Sequence, residues 1–531
     1  MGRRLVPGLA FLVLLGAGIL PLLAMLFQSL APGGKFSLAA YEGILASRRQ
    51  WILMGNSLAL SSLVTLLATA AGLPLGILLG KSDLPLRRLF LFLFALPLLV
   101  PPYITAVSWF DLLGGDGLLA GLLGPSFSAA ATGLLFGLPG CVLVLFATFL
   151  PIPILLTMVS LRAVDPRLEE AARMVAPWRG VLKGVTLPLL SPGLLLAALL
   201  VFLLTFGEFG VPAYLRFQVF PVESFTHFSA FYDFKAATAA ALPMAAVTLL
   251  LLLGEAFFLE KRPLLLRPSA GGEEPLRIEL GKSRKWILAL VALAAFFLVV
   301  LPLLSLLART AGPAAFGPAL EKAGGSLLRS LLYAFLGATL LSVLGFFLGY
   351  LVQARAFPFW RFADWLTLFL FALPGTVIGI GLISLWNHPW TNLVYATPAI
   401  VLLGYLAKYS ALTNRITAVQ LSLLPPSMEE AAQAAGASWG RRILWITAPL
   451  AGRGILAAWL TAFLFCLRDT GITMIVYPPG RETLPVRIFT LMANGAPELI
   501  SALCVLMLAA ALLPAGVLAL LFRKKNEKEV P

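Results

Sequence analysis

Residues 165–172 read DPRLEEAA and residues 425–432 read PPSMEEAA, so the pattern Pro-x-x-Glu-Glu-Ala-Ala occurs twice, 260 positions apart. A proline, adjacent acids and alanines are each favourable in the first turns of a helix. In the first copy Asp165 supplies an N-cap, and in the second Ser427 precedes Glu430 by three residues, the spacing of a capping box. Each copy therefore predicts the start of a short helix.

The sequence around both copies is strongly apolar. Hydrophobic residues occupy 60% of the 531 positions and charged residues 12%, about half of the ~25% found in soluble domains. So few charges cannot cover the surface of soluble domains, and a bilayer is the solvent that fits. Twelve charge-poor runs are candidates for the ~20-residue helices that span a membrane. They lie near 5–27, 57–80, 89–110, 129–161, 184–207, 236–254, 286–308, 330–352, 365–386, 393–414, 454–467 and 499–522.

A polar linker at 261–285, rich in Pro and Gly, divides the twelve runs into two sets of six. The two sets repeat, which predicts two halves at 1–260 and 286–531. Because six spans return the chain to its starting side, the halves have the same orientation and a pseudo-twofold axis along the membrane normal. Positions that match after a shift of 273 are Ser57 and Ser330, Gly72 and Gly345, Gly76 and Gly349, Pro85 and Pro358, and Arg88 and Arg361.

Basic residues are divided unevenly between the two sides of the predicted membrane. If the first run starts in the cytoplasm, 27 of the 39 Lys and Arg residues fall in cytoplasmic segments and 11 in outer ones. The positive-inside rule then predicts that both termini are cytoplasmic, and it explains the net charge of +15 without a nucleic-acid partner. Both Glu-Glu-Ala-Ala copies lie in long cytoplasmic loops, at about 162–190 and 415–450.

The second of these loops resembles the signature of the membrane permease subunits of binding-protein-dependent ATP-binding-cassette (ABC) importers. That signature is Glu-Ala-Ala, three residues, Gly, nine residues, Ile, one residue and Leu-Pro. The matching residues are Glu430, Ala431, Ala432, Gly436, Ile446 and Pro449, with Ala448 in place of Leu. The first copy departs further, because Ala176 replaces the glycine and Leu187-Pro188 arrives one residue early.

The resemblance implies the all-α type I ABC importer permease fold, a membrane protein of twelve transmembrane helices in two parallel six-helix repeats. The chain itself would then be neither an enzyme nor a holder of a metal or cofactor. In the family these loops bind a cytoplasmic ABC ATPase dimer, and a periplasmic or lipid-anchored binding protein delivers the substrate to the bacterial inner membrane. The implied coupling residues are Glu169, Glu170, Ala171, Ala172, Ala176, Glu429, Glu430, Ala431, Ala432 and Gly436.

A single chain that contains both halves resembles the branch of the family that includes ferric-iron permeases, and thiamine permeases are closely related to that branch. The resemblance therefore implies ferric iron as the expected substrate. Thiamine, polyamines and oxyanions stay open. Glu208 and Asp469 occupy matching positions at the outer ends of the fifth and eleventh runs. Acids at membrane depth commonly face a cavity, so both are candidates to flank a cation pathway. The alternatives are that they begin solvated loops, or that Asp469 pairs with Arg468.

Other functions fit the sequence less well. A major-facilitator carrier also has two parallel six-span halves, but it gives no reason for duplicated Glu-Ala-Ala loops. The triplets Gly80-Lys81-Ser82 and Gly281-Lys282-Ser283 lack the preceding glycine and strand of a phosphate loop, so ATP binding is assigned to a separate subunit. Glu-Glu-Ala-Ala alone could be merely a good helix start, yet its duplication in equivalent loops favours coupling.

Overall fold

The computed structural model describes residues 2–31, 35–229, 231, 234–260, 276–310, 312–355 and 357–526. Over these residues the chain is helical, and its β pairing is limited to one isolated bridge between Ser82 and Ile278. The predicted linker 261–285 lies outside the described residues up to position 275.

The α-helices of the first half are numbered in chain order. They are α1 (Gly2–Leu14), α2 (Leu20–Leu30), α3 (Ala39–Ala46), α4 (Arg48–Lys81), α5 (Arg87–Ala95), α6 (Pro102–Leu113), α7 (Leu118–Leu123), α8 (Pro125–Leu135), α9 (Leu138–Phe149), α10 (Pro151–Arg162), α11 (Pro166–Arg173), α12 (Trp178–Val181), α13 (Leu187–Phe206), α14 (Gly210–Tyr214), α15 (Phe220–Ser229) and α16 (Phe234–Glu260).

The numbering continues through the second half. Its helices are α17 (Arg284–Ala295), α18 (Leu301–Arg309), α19 (Phe316–Gln353), α20 (Trp360–Ala372), α21 (Gly375–Trp386), α22 (Asn392–Tyr395), α23 (Ala399–Ser422), α24 (Pro426–Ala434), α25 (Trp439–Arg442), α26 (Ala448–Leu450), α27 (Gly452–Leu467), α28 (Thr473–Val476), α29 (Leu484–Leu491) and α30 (Pro497–Asn526).

The described residues contain nine helices that are long and apolar enough to cross a membrane, or twelve if each of three bent pairs is one span. The predicted all-helical, multi-pass membrane fold is therefore confirmed. The predicted count of twelve spans agrees if each bent pair is counted as one span. The sharpest bend, 105°, separates α20 from α21 at Pro374, a residue that cannot continue a helix. The predicted run 89–110 is also interrupted, by a 3₁₀ turn at Leu96–Leu99, and the candidate span there is Pro102–Leu123.

By their internal contacts the residues form two compact units, and each unit draws on both predicted halves. One unit comprises Met1–Gln50, Pro221–Ala245 and Ala314–Pro531; within it, Nε2 of Gln28 in α2 donates a hydrogen bond to the Ser384 carbonyl of α21 at 2.7 Å. The other unit comprises Trp51–Phe220 and Ala246–Pro313. The first span of the first half thus packs on helices of the second half. The division into halves describes the sequence repeat and stays a prediction.

Matched glycines lie where long helices touch within each unit. A Cβ atom placed on Gly76 of α4 would lie 2.6 Å from Cβ of Thr157 in α10. A Cβ atom on Gly349 of α19 would lie 2.9 Å from the backbone nitrogen of Ala418 in α23. Only a residue without a side chain lets the helices approach so closely, as is common in membrane bundles. The repeated glycines therefore carry out the same packing in both halves.

Two further matched features support the repeat. Ser57 Oγ accepts a hydrogen bond from the Phe220 backbone N–H at 2.8 Å, and Ser330 Oγ accepts one from the Leu484 N–H at 2.6 Å. π-Helical turns precede a proline in both halves, and a π turn relieves the clash between a proline ring and the preceding carbonyls. These turns are Leu15–Ile19, Leu182–Thr186, Phe296–Val300 and Ile443–Thr447.

Candidate functional site

The first predicted coupling loop, residues 162–190, forms two short helices and is named the first elbow. Its first helix, α11, begins at Pro166, and the Asp165 carboxylate caps it by accepting a hydrogen bond from the Arg167 backbone N–H at 3.0 Å. The predicted N-cap is thus confirmed. After a turn α12 follows, and the π-helical segment Leu182–Thr186 leads into the next span, α13.

The inner face of the first elbow carries a buried ion pair. The Glu169 side chain is 1% exposed, and its carboxylate pairs with the Nζ of Lys81, the last residue of α4. Thr186 Oγ1 donates a second hydrogen bond to this carboxylate at 2.7 Å, and the Lys81 ammonium lies 5.7 Å from the centre of the Trp178 ring. Buried charges are tolerated when they are paired and hydrogen-bonded in this way. Glu169 therefore fixes α11 to the end of one span and to the start of another.

The outer face of the first elbow is exposed. Glu170 and Ala171 are exposed, and the side chains around them are apolar and accessible. Leu168 is 51% exposed, and Met174 and Val175 are each 87% exposed. Large exposed apolar side chains around a polar group are characteristic of a protein-binding surface. The adjacent glutamates of the motif thus have different tasks, one anchoring the helix and the other available for contact.

The second predicted coupling loop, residues 415–450, is named the second elbow and has the same order of helices. The helix α24 begins at Pro426, and its N-cap, Pro425, offers no side-chain hydrogen bond. The capping box predicted from Ser427 and Glu430 is therefore wrong. The cause is the proline pair, which starts the helix earlier and leaves Ser427 inside the first turn.

The two elbows turn in different ways. In the second, Gly436 has a φ of 82°, and the Ala437 N–H donates to the Ala432 carbonyl at 2.9 Å, which closes the end of α24. The chain therefore bends at Gly436, the glycine of the signature. In the first elbow, Ala176 keeps a negative φ, and its N–H donates to the Ala172 carbonyl at 2.9 Å. Alanine is tolerated at position 176 because the backbone there does not adopt the left-handed conformation with positive φ that favours glycine.

The inner glutamate of the second elbow has a looser setting. Glu429 accepts a hydrogen bond from the Tyr350 hydroxyl at 3.2 Å and lies 3.9 Å from Nε of Arg442. Its side chain is 32% exposed, compared with 1% for Glu169. Glu429 and Glu430 also line a cavity of about 330 Å³. The second elbow therefore keeps the inward and outward glutamates, but its inward glutamate has one hydrogen bond and a longer ion pair beside a cavity instead of a fully buried ion pair.

The first outer acid, Glu208, lies just after α13. Its Oε1 accepts hydrogen bonds from the backbone N–H groups of Gly210 at 2.9 Å and Val211 at 3.3 Å, at the start of α14. A carboxylate at this end of a helix satisfies free N–H groups and complements the helix dipole. Glu208 thus positions the chain where it leaves the fifth span.

The second outer acid, Asp469, is 4% exposed and has the equivalent setting after α27. It accepts hydrogen bonds from the Tyr409 hydroxyl at 2.7 Å, the Thr473 backbone N–H at 2.9 Å and the Thr473 hydroxyl at 2.7 Å. The alternative that Asp469 begins a solvated loop therefore fails. Both acids cap a short helix, and the pathway role suggested by their matched positions stays a prediction.

Comparisons with known proteins show which proteins this chain resembles. No protein-family model matches the chain. The chain is similar to a ferric transport system permease protein of Haemophilus influenzae, 24% identical over 492 residues that cover 89% of this chain and 77% of the relative. It is similar to one of Actinobacillus pleuropneumoniae, 23% identical over 488 residues, 88% of this chain and 70% of the relative. It is also similar to the molybdenum transport system permease protein of Escherichia coli, 30% identical over 163 residues, 30% of this chain and 69% of the relative.

Proposed function

This chain belongs to the permease subunits of ABC transport systems, and on that premise we propose that it is the membrane subunit of an importer for ferric iron. A binding protein delivers the substrate from outside, and two ATPase subunits bind the elbows. The ATP-bound and nucleotide-free ATPase dimers favour different arrangements of the permease, which alternates the access of the pathway. Glu208 and Asp469 flank this pathway on its outer side.

The observation that carries the proposal is that the two adjacent glutamates of each elbow have different surroundings. In each elbow the first glutamate, Glu169 or Glu429, contacts neighbouring helices of the permease. The second, Glu170 or Glu430, is exposed. A helix that is anchored on one face and open on the other can transmit force from a bound partner to the spans that it contacts. Two such helices provide one site for each ATPase subunit.

The excess of basic residues in the segments that contain the elbows supports a cytoplasmic location for the elbows and for both termini. A bacterial inner membrane is the setting that agrees with the relatives, which are bacterial transport proteins. The ATPase then has direct access to both elbows from the nucleotide-containing compartment.

Charge reversal at the exposed glutamates is expected to abolish ATPase binding. In the double variant Glu170→Arg and Glu430→Arg, the outer face of each elbow presents the opposite charge, and like charges across an interface strongly disfavour a complex. We expect at least a tenfold loss of the ATPase that co-purifies with the permease. The measurement is the ratio of ATPase to permease after affinity purification of the co-expressed subunits.

The matched control is Glu42→Arg with Glu321→Arg, which changes the same number of exposed acids on the predicted outer side. The control should retain the ATPase at the wild-type ratio. Normal ATPase recovery with the elbow variant, in a monodisperse preparation, would refute the assignment of the elbows.

A second candidate substrate is an oxyanion, because the relative with 30% identity is a molybdenum transport permease. The two substrates are distinguished by uptake into proteoliposomes that contain the permease, its ATPase and its binding protein. We expect ATP-dependent accumulation of radioactive ferric iron and background accumulation of molybdate. Accumulation of molybdate alone would assign the oxyanion, and uptake without ATP would refute an ABC importer.

A further inference from the structure

A basic cavity lies beside the first elbow, in the unit formed by Trp51–Phe220 and Ala246–Pro313. Its volume is about 400 Å³. We name it the arginine cavity, because four of its eight lining residues are arginines and, within the described chain, none is acidic. The lining residues are Leu79, Gly80, Arg87, Arg88, Leu91, Met158, Arg162 and Arg277.

The start of α5 adds a partial positive charge to one side of this cavity, where α4 and α10 also end. Arg87 and Arg88 are the first two residues of α5, and no side chain caps that helix. The start of a helix has free N–H groups and a partial positive charge, so two arginines there are electrostatically unfavourable without an anion. Arg162 adds a third charge from the end of α10. Among the described residues Arg87, Arg88 and Arg162 form no ion pair.

The second half has an acidic residue at a position that matches the lining of this cavity. Asp364 occupies the position that matches Leu91 of the arginine cavity after the shift of 273. The Asp364 carboxylate accepts hydrogen bonds from Asn414 at 3.1 Å and Arg415 at 3.2 Å. In the first half this position is the apolar Leu91, so it supplies no carboxylate to Arg87, Arg88 or Arg162.

The surroundings of the cavity indicate what kind of ligand this is. Leu89 and Phe92 of α5 are 47% and 53% exposed, and Val159 of α10 is 52% exposed. In a membrane protein such side chains contact acyl chains, and basic pockets at the cytoplasmic ends of spans bind anionic headgroups. A soluble phosphate compound has no acyl chains that could contact these exposed apolar side chains. We propose that the arginine cavity binds the phosphate of an anionic phospholipid, whose acyl chains lie along Leu89, Phe92 and Val159.

The position of the cavity gives this lipid a structural role. Leu79 and Gly80 of its lining directly precede Lys81, the partner of Glu169. A lipid that joins the end of α4 to α5 and α10 therefore stabilises the base on which the first elbow is held.

Native mass spectrometry of the full-length protein tests the proposal, with added phosphatidylglycerol and phosphatidylcholine as probes. We expect the wild type to retain phosphatidylglycerol at least tenfold better than phosphatidylcholine. Arg87→Gln with Arg88→Gln and Arg162→Gln should lose that preference, and Arg162→Gln alone should reduce it if the triple variant does not fold. The matched control is Arg361→Gln with Arg441→Gln and Arg453→Gln, which removes three exposed arginines of the second half and should keep the preference.

Three results would overturn the proposal. They are equal retention of the two lipids by the wild type, an unchanged preference in both the triple and the single variant, and loss of the preference in the control. Addition of millimolar inorganic phosphate separates the two sources of a phosphate group. Phosphatidylglycerol should stay bound, whereas its complete displacement would assign the cavity to a soluble phosphate compound and refute a lipid.

Discussion

Lys81→Met is expected to lower the free energy of unfolding by about 3 to 5 kcal/mol, because it removes one partner of a buried ion pair. The substitution leaves the Glu169 carboxylate 1% exposed without its counter-charge, and only the Thr186 hydroxyl remains as a partner. The first elbow should also detach from α4, so ATP-dependent transport should fall with stability. The measurement is thermal unfolding in detergent, together with the uptake assay.

The companion variants separate charge from packing. Adding Glu169→Met to Lys81→Met removes both charges, and apolar replacements for a buried ion pair are often neutral, so we expect much of the stability to return. Lys183→Met is the matched control, because Lys183 lies in the same elbow and is exposed; it should change stability by less than about 0.5 kcal/mol. A single variant as stable as the wild type, or a double variant no better than the single one, would contradict the structure of the pair.

Gly76→Leu and Gly349→Leu are each expected to reduce the yield of folded protein severely. The nearest obstacles to a side chain include backbone atoms, the Ile154 carbonyl at 2.9 Å from a Cβ on Gly76 and the Ala418 nitrogen at 2.9 Å from one on Gly349. Because backbone cannot rotate aside, whole helices would have to separate, and overpacking of this kind costs ~1 to 3 kcal/mol or more. The measurement is the monodisperse fraction in size-exclusion chromatography.

The same two helices contain their own controls. At Gly55 of α4 and Gly324 of α19, an added Cβ would meet no atom within 4 Å other than those of the adjacent residues and the surrounding backbone of its own helix. Leucine there should be neutral or slightly stabilising, since it favours a helix by up to ~1 kcal/mol over glycine. Equal damage from Gly55→Leu and Gly76→Leu would show that helix contact is not the reason for the glycine.

The features predicted well from the sequence are those that follow from local chemistry or from repetition. Apolar runs predict the helices and Asp165 predicts a cap, because each effect acts within a few residues. The repeat also indicated which glycines matter, since Gly76 and Gly349 occupy matched positions and both pack against another helix. Where two local signals competed, as at Ser427, the stronger constraint of the adjacent prolines decided the helix start.

Contacts between residues that are far apart in the chain could not be predicted from the sequence. Lys81 has the spacing of an ordinary interfacial cation at the end of a span, and Glu169 lies 88 positions away. The signal that could have found the pair is the asymmetry of the repeat, because the position that matches Lys81 is Ala354. A cation present in only one half suggests a role that is not general to the repeat. The same limit hid the packing of the first span on the second half.

The hydrogen bond from the Gln28 side chain to the Ser384 carbonyl has a consequence for biosynthesis of the protein, because the two residues are 356 positions apart. At ~5 to 20 residues per second, the ribosome needs about 20 to 70 s to produce the partner of the first span. During that time the earliest helix sits in the bilayer with a polar side chain that lacks its final acceptor. A translation product that ends before Ser384 lacks this acceptor, so the Gln28 side chain stays without it. Such an exposed polar group in the bilayer is a feature by which cellular proteases could recognise unfinished chains.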